Sequence, residues 1–196
     1  MDSRHGQGDE ENRLLWREED SRKVLASPIF DVHVSRRSSP TGASGDFYVL
    51  HARDWVNVMP VLRNAAGEEC FLMVRQYRHG IGGITLEFPA GILEPGEEPL
   101  AAAGRELEEE TGRGAGRISL LGKVSPNPAF MDNWCWTYLA EDLSAPGKPR
   151  LDDLEVLDAV AVPVREVMDG VGRGELVNSL VMVALLWYIR RGPAKV

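Results

Sequence analysis

The stretch from Gly91 to Arg113, GILEPGEEPLAAAGRELEEETGR, constrains this chain more than any other. Within it Glu106, Glu109 and Glu110 stand at spacings of three and four, so a helix places all three carboxylates on one face. Like charges at that spacing repel, and Ala103 and Leu107 point toward a core that partly dehydrates them. A divalent cation is the natural compensation, and hard oxygen ligands suit magnesium or manganese. The competing explanation is a solvated acidic helix face, which is what most glutamate runs are. Pro99 fits an N-terminal position of this helix and Gly112 its C-terminal cap, while Gly91 and Gly96 permit a tight loop on the approach. Gly104 costs about 1 kcal/mol relative to alanine and is read as a close-packing position. Glu97 is too far upstream to share the acidic face; paired with Arg105 it ties the loop to the helix. Glu108 projects sideways into solvent.

The same residues fall in register with the pattern G-x5-E-x7-R-E-U-x-E-E-x-G-U, where U is a bulky aliphatic residue. Gly91, Glu97, Arg105, Glu106, Leu107, Glu109, Glu110 and Gly112 all match, and the chain resembles the Nudix hydrolase family. Arg113 alone departs, standing where an aliphatic residue is expected. The resemblance implies an α/β (α+β) fold, a Nudix α/β/α sandwich with a mixed β-sheet and a small N-terminal β subdomain. It implies Glu106, Glu109 and Glu110 as metal ligands, joined by the backbone carbonyl of Ala90, with Mg2+ as cofactor and Mn2+ as a substitute. Glu109 and Arg105 belong to the catalytic set; Gly91, Glu97 and Gly112 are structural.

Read in order, Met1 to Arg13 is charged and lacks an apolar period, which predicts a mobile tail. Alternation from Lys23 to Arg36 predicts a strand, Ser38 to Asp46 a loop, and Phe47 to Ala52 the returning strand. The domain reading is therefore a tail over 1–13, an N-terminal β subdomain over 14–54 and a catalytic domain over 55–196. Trp55 to Leu62 and Cys70 to Tyr77 are strand-like and apolar enough for central positions, with a turn at Asn64 to Glu68. Ile84 to Phe88 makes a short strand, Arg117 to Val124 and Trp134 to Leu139 two more, and Val156 to Val162 another. Val164 to Met168 and Glu175 to Ile189 are predicted helices, the second packed on the sheet.

The block RQYRHGIGGITLEFPAG resembles the ADP-ribose and nucleoside diphosphate sugar branch of the family. In that branch the N-terminal segment crosses to a partner subunit, which implies a homodimer. Arg75 and Arg78 lie three apart on one strand and so face opposite sides; Arg78, nearer the loop, is favoured for substrate phosphate, with a surface ion pair as the alternative. Glu87 is a candidate for substrate hydroxyls or for a loop hydrogen bond. Pro128 stands near where relatives carry a proline that shapes the nucleotide pocket, but Ala129 follows where many have glycine, which leaves sugars other than ADP-ribose open. On the loop Ser144 to Glu155, Glu155 is the choice for general base, with Asp153 and Asp158 as rivals.

A net charge of −8 argues against a nucleic-acid partner. Cys70 and Cys135 show no metal or redox spacing and read as free thiols. The apolar run Leu180 to Ile189 is too short for a membrane span of about 20 residues, and the charged N-terminus is unlike a signal peptide. A cytoplasmic enzyme with no membrane partner is expected. Its expected reaction is metal-dependent hydrolysis of the pyrophosphate bond of a nucleoside diphosphate sugar, ADP-ribose favoured, to a nucleoside monophosphate and a sugar phosphate. Triphosphates or dinucleoside polyphosphates as substrates, or a non-catalytic ADP-ribose sensor, are the alternatives.

Overall fold

The computed structural model describes residues 12–191, so the expected tail lies outside the described residues except for Asn12 and Arg13. The chain divides into two compact units, one formed by Met1–Arg53 with Ser125–Asn133, the other by Asp54–Val124 with Trp134–Val196.

The first unit is an antiparallel sheet of β1 (Arg17–Ala26), β2 (Phe30–Ser38) and β3 (Ser44–Ala52), in that order. The single strand expected over Lys23 to Arg36 is therefore two strands. Ser27 makes the break: its amide and hydroxyl both donate to the Phe30 carbonyl, at 3.1 and 2.6 Å, and Pro28 follows it. Polar, charged β1 is exposed at all ten positions and offers no apolar alternation to detect. The expected loop from Ser38 to Asp46 is also shorter, because Gly42 at φ +89° permits a tight turn closed by Ser39 and Ala43. Residues 125–133 lie along β3, with Leu50 N donating to Phe130 O at 2.7 Å.

The second unit carries β4 (Trp55–Arg63), β5 (Glu69–Arg78), β6 (Gly83–Glu87), β7 (Ala90–Ile92), β8 (Ala115–Val124), β9 (Cys135–Leu143) and β10 (Leu157–Pro163). Its strand order is β10-β5-β4-β9-β8, with β6 added to β5 and β7 to β4. The β4–β9 pairing is parallel and the others antiparallel, so the sheet is mixed. Among the described residues three helices accompany it: α1 (Pro99–Thr111), α2 (Val164–Gly170) and α3 (Ser179–Arg190).

Strand alternation assigns the helices to opposite faces of the sheet. Val56 and Val58 of β4 and Tyr138 and Ala140 of β9 meet Ala102, Ala103 and Leu107 of α1. The intervening Met59 and Leu139 belong to the other layer, with Phe71, Phe88, Val167 of α2 and Val181, Ala184 and Leu185 of α3. This is an α/β/α sandwich with two cores. Cys70 and Cys135 are buried in it as free thiols. Among the described residues no helix is long and apolar enough to cross a membrane.

Two local expectations need correction. The last helix starts at Ser179 rather than Glu175, because the Asn178 side chain caps it by accepting from Leu180 N at 2.8 Å, while the Glu175 carbonyl is taken by Leu86 N. Gly104 is not forced by close packing: a Cβ there meets only Ile118 Cδ1, at an ordinary 3.8 Å. Gly104→Ala is therefore expected to stabilise the protein by about 0.5–1 kcal/mol through helix propensity and a less flexible unfolded chain. A rise in the urea midpoint at unchanged slope checks it, and a fall contradicts it.

Candidate metal centre

Helix α1 begins with Pro99 in its first turn and ends at Gly112, which adopts the left-handed conformation (φ +67°) and donates to Glu108 O at 2.8 Å. These ends set the helical phase that buries Ala103 and Leu107. Glu106 and Glu110, one turn apart, then also face inward, at 8% and 2% exposure. Opposite them β7 pairs with β4 through Asn57 to Ala90 and Val56 to Gly91. A Cβ on Gly91 would lie 1.9 Å from Glu106 Oε1, so only glycine lets that carboxylate occupy its place. The Ala90 amide donates to Glu110 Oε2 at 3.1 Å.

Arg105 organises the rest. Its Nε and Nη2 each donate at 2.9 Å to the two oxygens of Glu97, a bidentate pair that ties the loop to the helix. Nη1 reaches Glu106 Oε1 at 2.8 Å and Glu109 Oε2 at 2.9 Å, and Nη2 also reaches Ile92 O at 3.3 Å. The guanidinium beside Glu97 holds that carboxyl below its usual value. Burial raises the Glu106 carboxyl, against the pull of Arg105. Burial, followed by repulsion from Glu106, pushes Glu110 up to about 8.

Two dehydrated carboxylates facing each other favour either protonation or a cation between them. A divalent cation fits this donor set of hard oxygens, and Gly91 leaves the Glu106 carboxylate room to sit there. Among the described residues no three acidic, histidine or cysteine side chains already converge into a cage, since Arg105 supplies the positive charge between Glu106 and Glu109.

The other candidates are placed as follows. Arg78 makes a bidentate pair with buried Glu87, at 3.1 and 2.7 Å, and Thr85 Oγ1 donates to Glu87 at 2.6 Å. Burial would raise the Glu87 carboxyl, but the hydrogen bonds from Arg78 and Thr85 bring it below its usual value. Arg78 also feels the charges of Glu110 and Glu155. Arg75 is directed elsewhere, as strand alternation requires, and forks onto Glu175 with Asp158 paired beside it on β10. Glu155 lies on the exposed loop Leu151–Glu155, accepting from Asp152 N at 3.2 Å, and its charge contributes to the raised values of both Glu106 and Glu110. Asp153 is exposed on the same loop. Pro128 belongs to the first unit, where it lines a concavity with Trp16, Phe47 and Phe130.

Several partners went unseen in the sequence. Thr85 and Asn178 support Glu87, Glu175 holds Arg75, and Arg150 reaches the exposed Glu108 at 2.9 Å. Only Thr85 carried a signal, two residues before Glu87 on the same face of a strand.

A family model described as NUDIX domain matches residues 53–180. The ADP-sugar pyrophosphatase of Mus musculus is 35% identical over 122 residues, 59% of this chain and 55% of that protein, so the match spans little more than half of that relative's length. The ADP-ribose pyrophosphatase of Bacillus subtilis is 29% identical over 164 residues, 83% of this chain and 86% of that protein. The crystal structure of an ADP compounds hydrolase superposes with a TM-score of 0.80 at 25% identity, covering 92% of this chain and 97% of that one.

The raised Glu110 carboxyl has a definite consequence for pH. Its ordinary value is 4.5, against about 8 when folded. Between these the folded chain holds more protons than the unfolded one, so its stability falls as pH rises. Chelator-treated protein should lose melting temperature from about pH 5 to about pH 8, and magnesium should restore more at the alkaline end. Glu110→Gln should flatten that slope, and an unchanged slope in the variant contradicts the assignment.

Proposed function

The chain belongs to the NUDIX domain family, and from that premise we propose that it is a magnesium-dependent pyrophosphohydrolase of nucleoside diphosphate sugars, with ADP-ribose the favoured substrate. The observation that carries the reading is the pair of buried carboxylates, Glu106 and Glu110, the first seated where Gly91 has no side chain and the second on the Ala90 amide. The relatives named for ADP-ribose and ADP-sugar hydrolysis support the substrate class.

Glu106, Glu109 and Glu110, with the Ala90 carbonyl, would hold Mg2+, for which Mn2+ is a substitute. A bound divalent ion supplies charge neutralisation at the phosphate oxygens and an acidified water for in-line displacement. The protein's own part is positional. Arg105 is charged at all working pH and, by pairing with Glu97, aims Glu106 and Glu109 at the same space. Glu155 takes the proton of the attacking water as general base. Arg78, held rigidly by Glu87 and Thr85, presents a planar cation to a phosphate. Glu87 acts on the substrate through that arginine. Arg75 is a weaker candidate for the same anion because Glu175 already occupies its fork.

A homodimer built on the N-terminal sheet completes the proposal. Leu14, Leu15, Trp16, Phe47 and Tyr48 of that unit are exposed apolar side chains, an area that suits a second copy of the chain. The two free thiols accord with the reducing cytoplasm.

Incubation with magnesium and a panel of nucleotide sugars, triphosphates and dinucleoside polyphosphates is expected to release a nucleoside monophosphate fastest from ADP-ribose. Glu109→Gln and Glu155→Gln should each lower kcat by about 100-fold or more while leaving the far-ultraviolet dichroism unchanged. Binding without turnover of any compound sinks the enzymatic reading. In sedimentation equilibrium the mass should be that of two chains, and a single-chain mass at micromolar concentration contradicts the dimer.

A further inference from the structure

The loop that bears Glu155 is not free over its length. Its first part runs along the C-terminal end of α1, whose last carbonyls have no partner within the helix. Gly147 N donates to Gly112 O at 2.7 Å and Arg150 N to Glu109 O at 2.8 Å. Ser144 joins the same run: its amide donates to Gly114 O, its hydroxyl accepts from Gly114 N, both at 2.9 Å, and its carbonyl accepts from Arg113 Nη1 at 2.8 Å. At the centre the two backbones touch. A Cβ on Gly112 would lie 2.5 Å from Gly147 O, and one on Gly147 would lie 2.8 Å from Gly112 O. Gly147 does not have a positive φ, so its lack of a side chain serves this approach and not a turn.

Glu109 therefore does two things. Its carboxylate lies on the acidic face with Arg105, and its carbonyl anchors Arg150, five residues before Glu155. From this we infer that Gly147 and Arg150 are positioning residues, which clasp the acidic loop to the end of α1 and so fix the reach of Glu155 toward Glu106 and Glu110. The inference rests on the proposed role of Glu155 as base. It makes the distance between base and metal ligands a property of two amide hydrogen bonds and one glycine contact, not of the loop's own flexible sequence. With the clasp broken, residues 151–155 span more conformations and Glu155 spends less time within reach.

Gly147→Ala adds one methyl group at the contact and tests this directly. The expected result is a fall in kcat by up to about 100-fold with KM nearly unchanged, the signature of a misplaced group rather than lost substrate binding. In a Glu155→Gln background the same change should add almost nothing, because the two act through one group. A full additional loss in that background overturns the inference. Normal turnover of Glu155→Gln alone defeats the base assignment and the catalytic part of the inference together. Hydrogen exchange reads the clasp without activity. In the unaltered protein the amides of Gly147 and Arg150 should exchange as slowly as those of β9, and Gly147→Ala should release residues 144–155 while α1 stays protected. Fast exchange at Gly147 and Arg150 in the unaltered protein overturns the clasp whatever the reaction proves to be.

Discussion

Two carboxylates taken out of water side by side are the constraint around which the second unit is built. A dehydrated carboxylate without a partner costs several kcal/mol, and a second one nearby adds repulsion. The surroundings of Glu106 and Glu110 answer this cost in detail. One meets the Arg105 guanidinium, the other the Ala90 amide, and Gly91 gives up a side chain so that the oxygens have somewhere to be. Glu97, outside the acidic face, holds Arg105 in place and thereby fixes the angle from which it serves Glu106 and Glu109.

The sandwich is what makes such an arrangement tolerable. Ala102, Ala103 and Leu107 are wholly buried against β4 and β9, so the helix cannot roll its acidic side toward water without uncovering its apolar side. Packing thus supplies the free energy that electrostatics alone would withhold. The β4–β7 pairing then carries Ala90 and Gly91 to the carboxylates as backbone, where no side-chain motion can withdraw them.

Much of this was legible in the residues because it is local. The phase of α1, its proline start, its glycine cap and the Glu97–Arg105 pair follow from spacing along a single stretch. The strands β4 and β5 and their turn followed equally from apolar runs bounded by Asn64 and Gly67. What escaped was long-range or polar. β1 is a strand with no buried face, so it has no hydrophobic period, and its existence depends on pairing with β2 across the Ser27 turn. The start of α3 was set by Asn178 and by a carbonyl committed to Leu86, some ninety residues away in sequence. Likewise Glu175 reaches Arg75 across 100 positions, and the bonds from Gly147 and Arg150 to the end of α1 join segments that nothing in composition connects. Gly104 shows the opposite error, where a local rule suggested a packing demand that the neighbouring Ile118 does not impose.

The burial of both cysteines has a practical side. Cys70 and Cys135 are 1% and 0% exposed, and burial pushes the Cys135 thiol up to about 12, so neither presents a thiolate to reagents in neutral solution. The chain is in effect a blank background for maleimide chemistry. A lone cysteine engineered on the acidic loop would take a fluorophore or spin label selectively, and the holding of that segment to the end of α1 could be followed without first removing the native thiols.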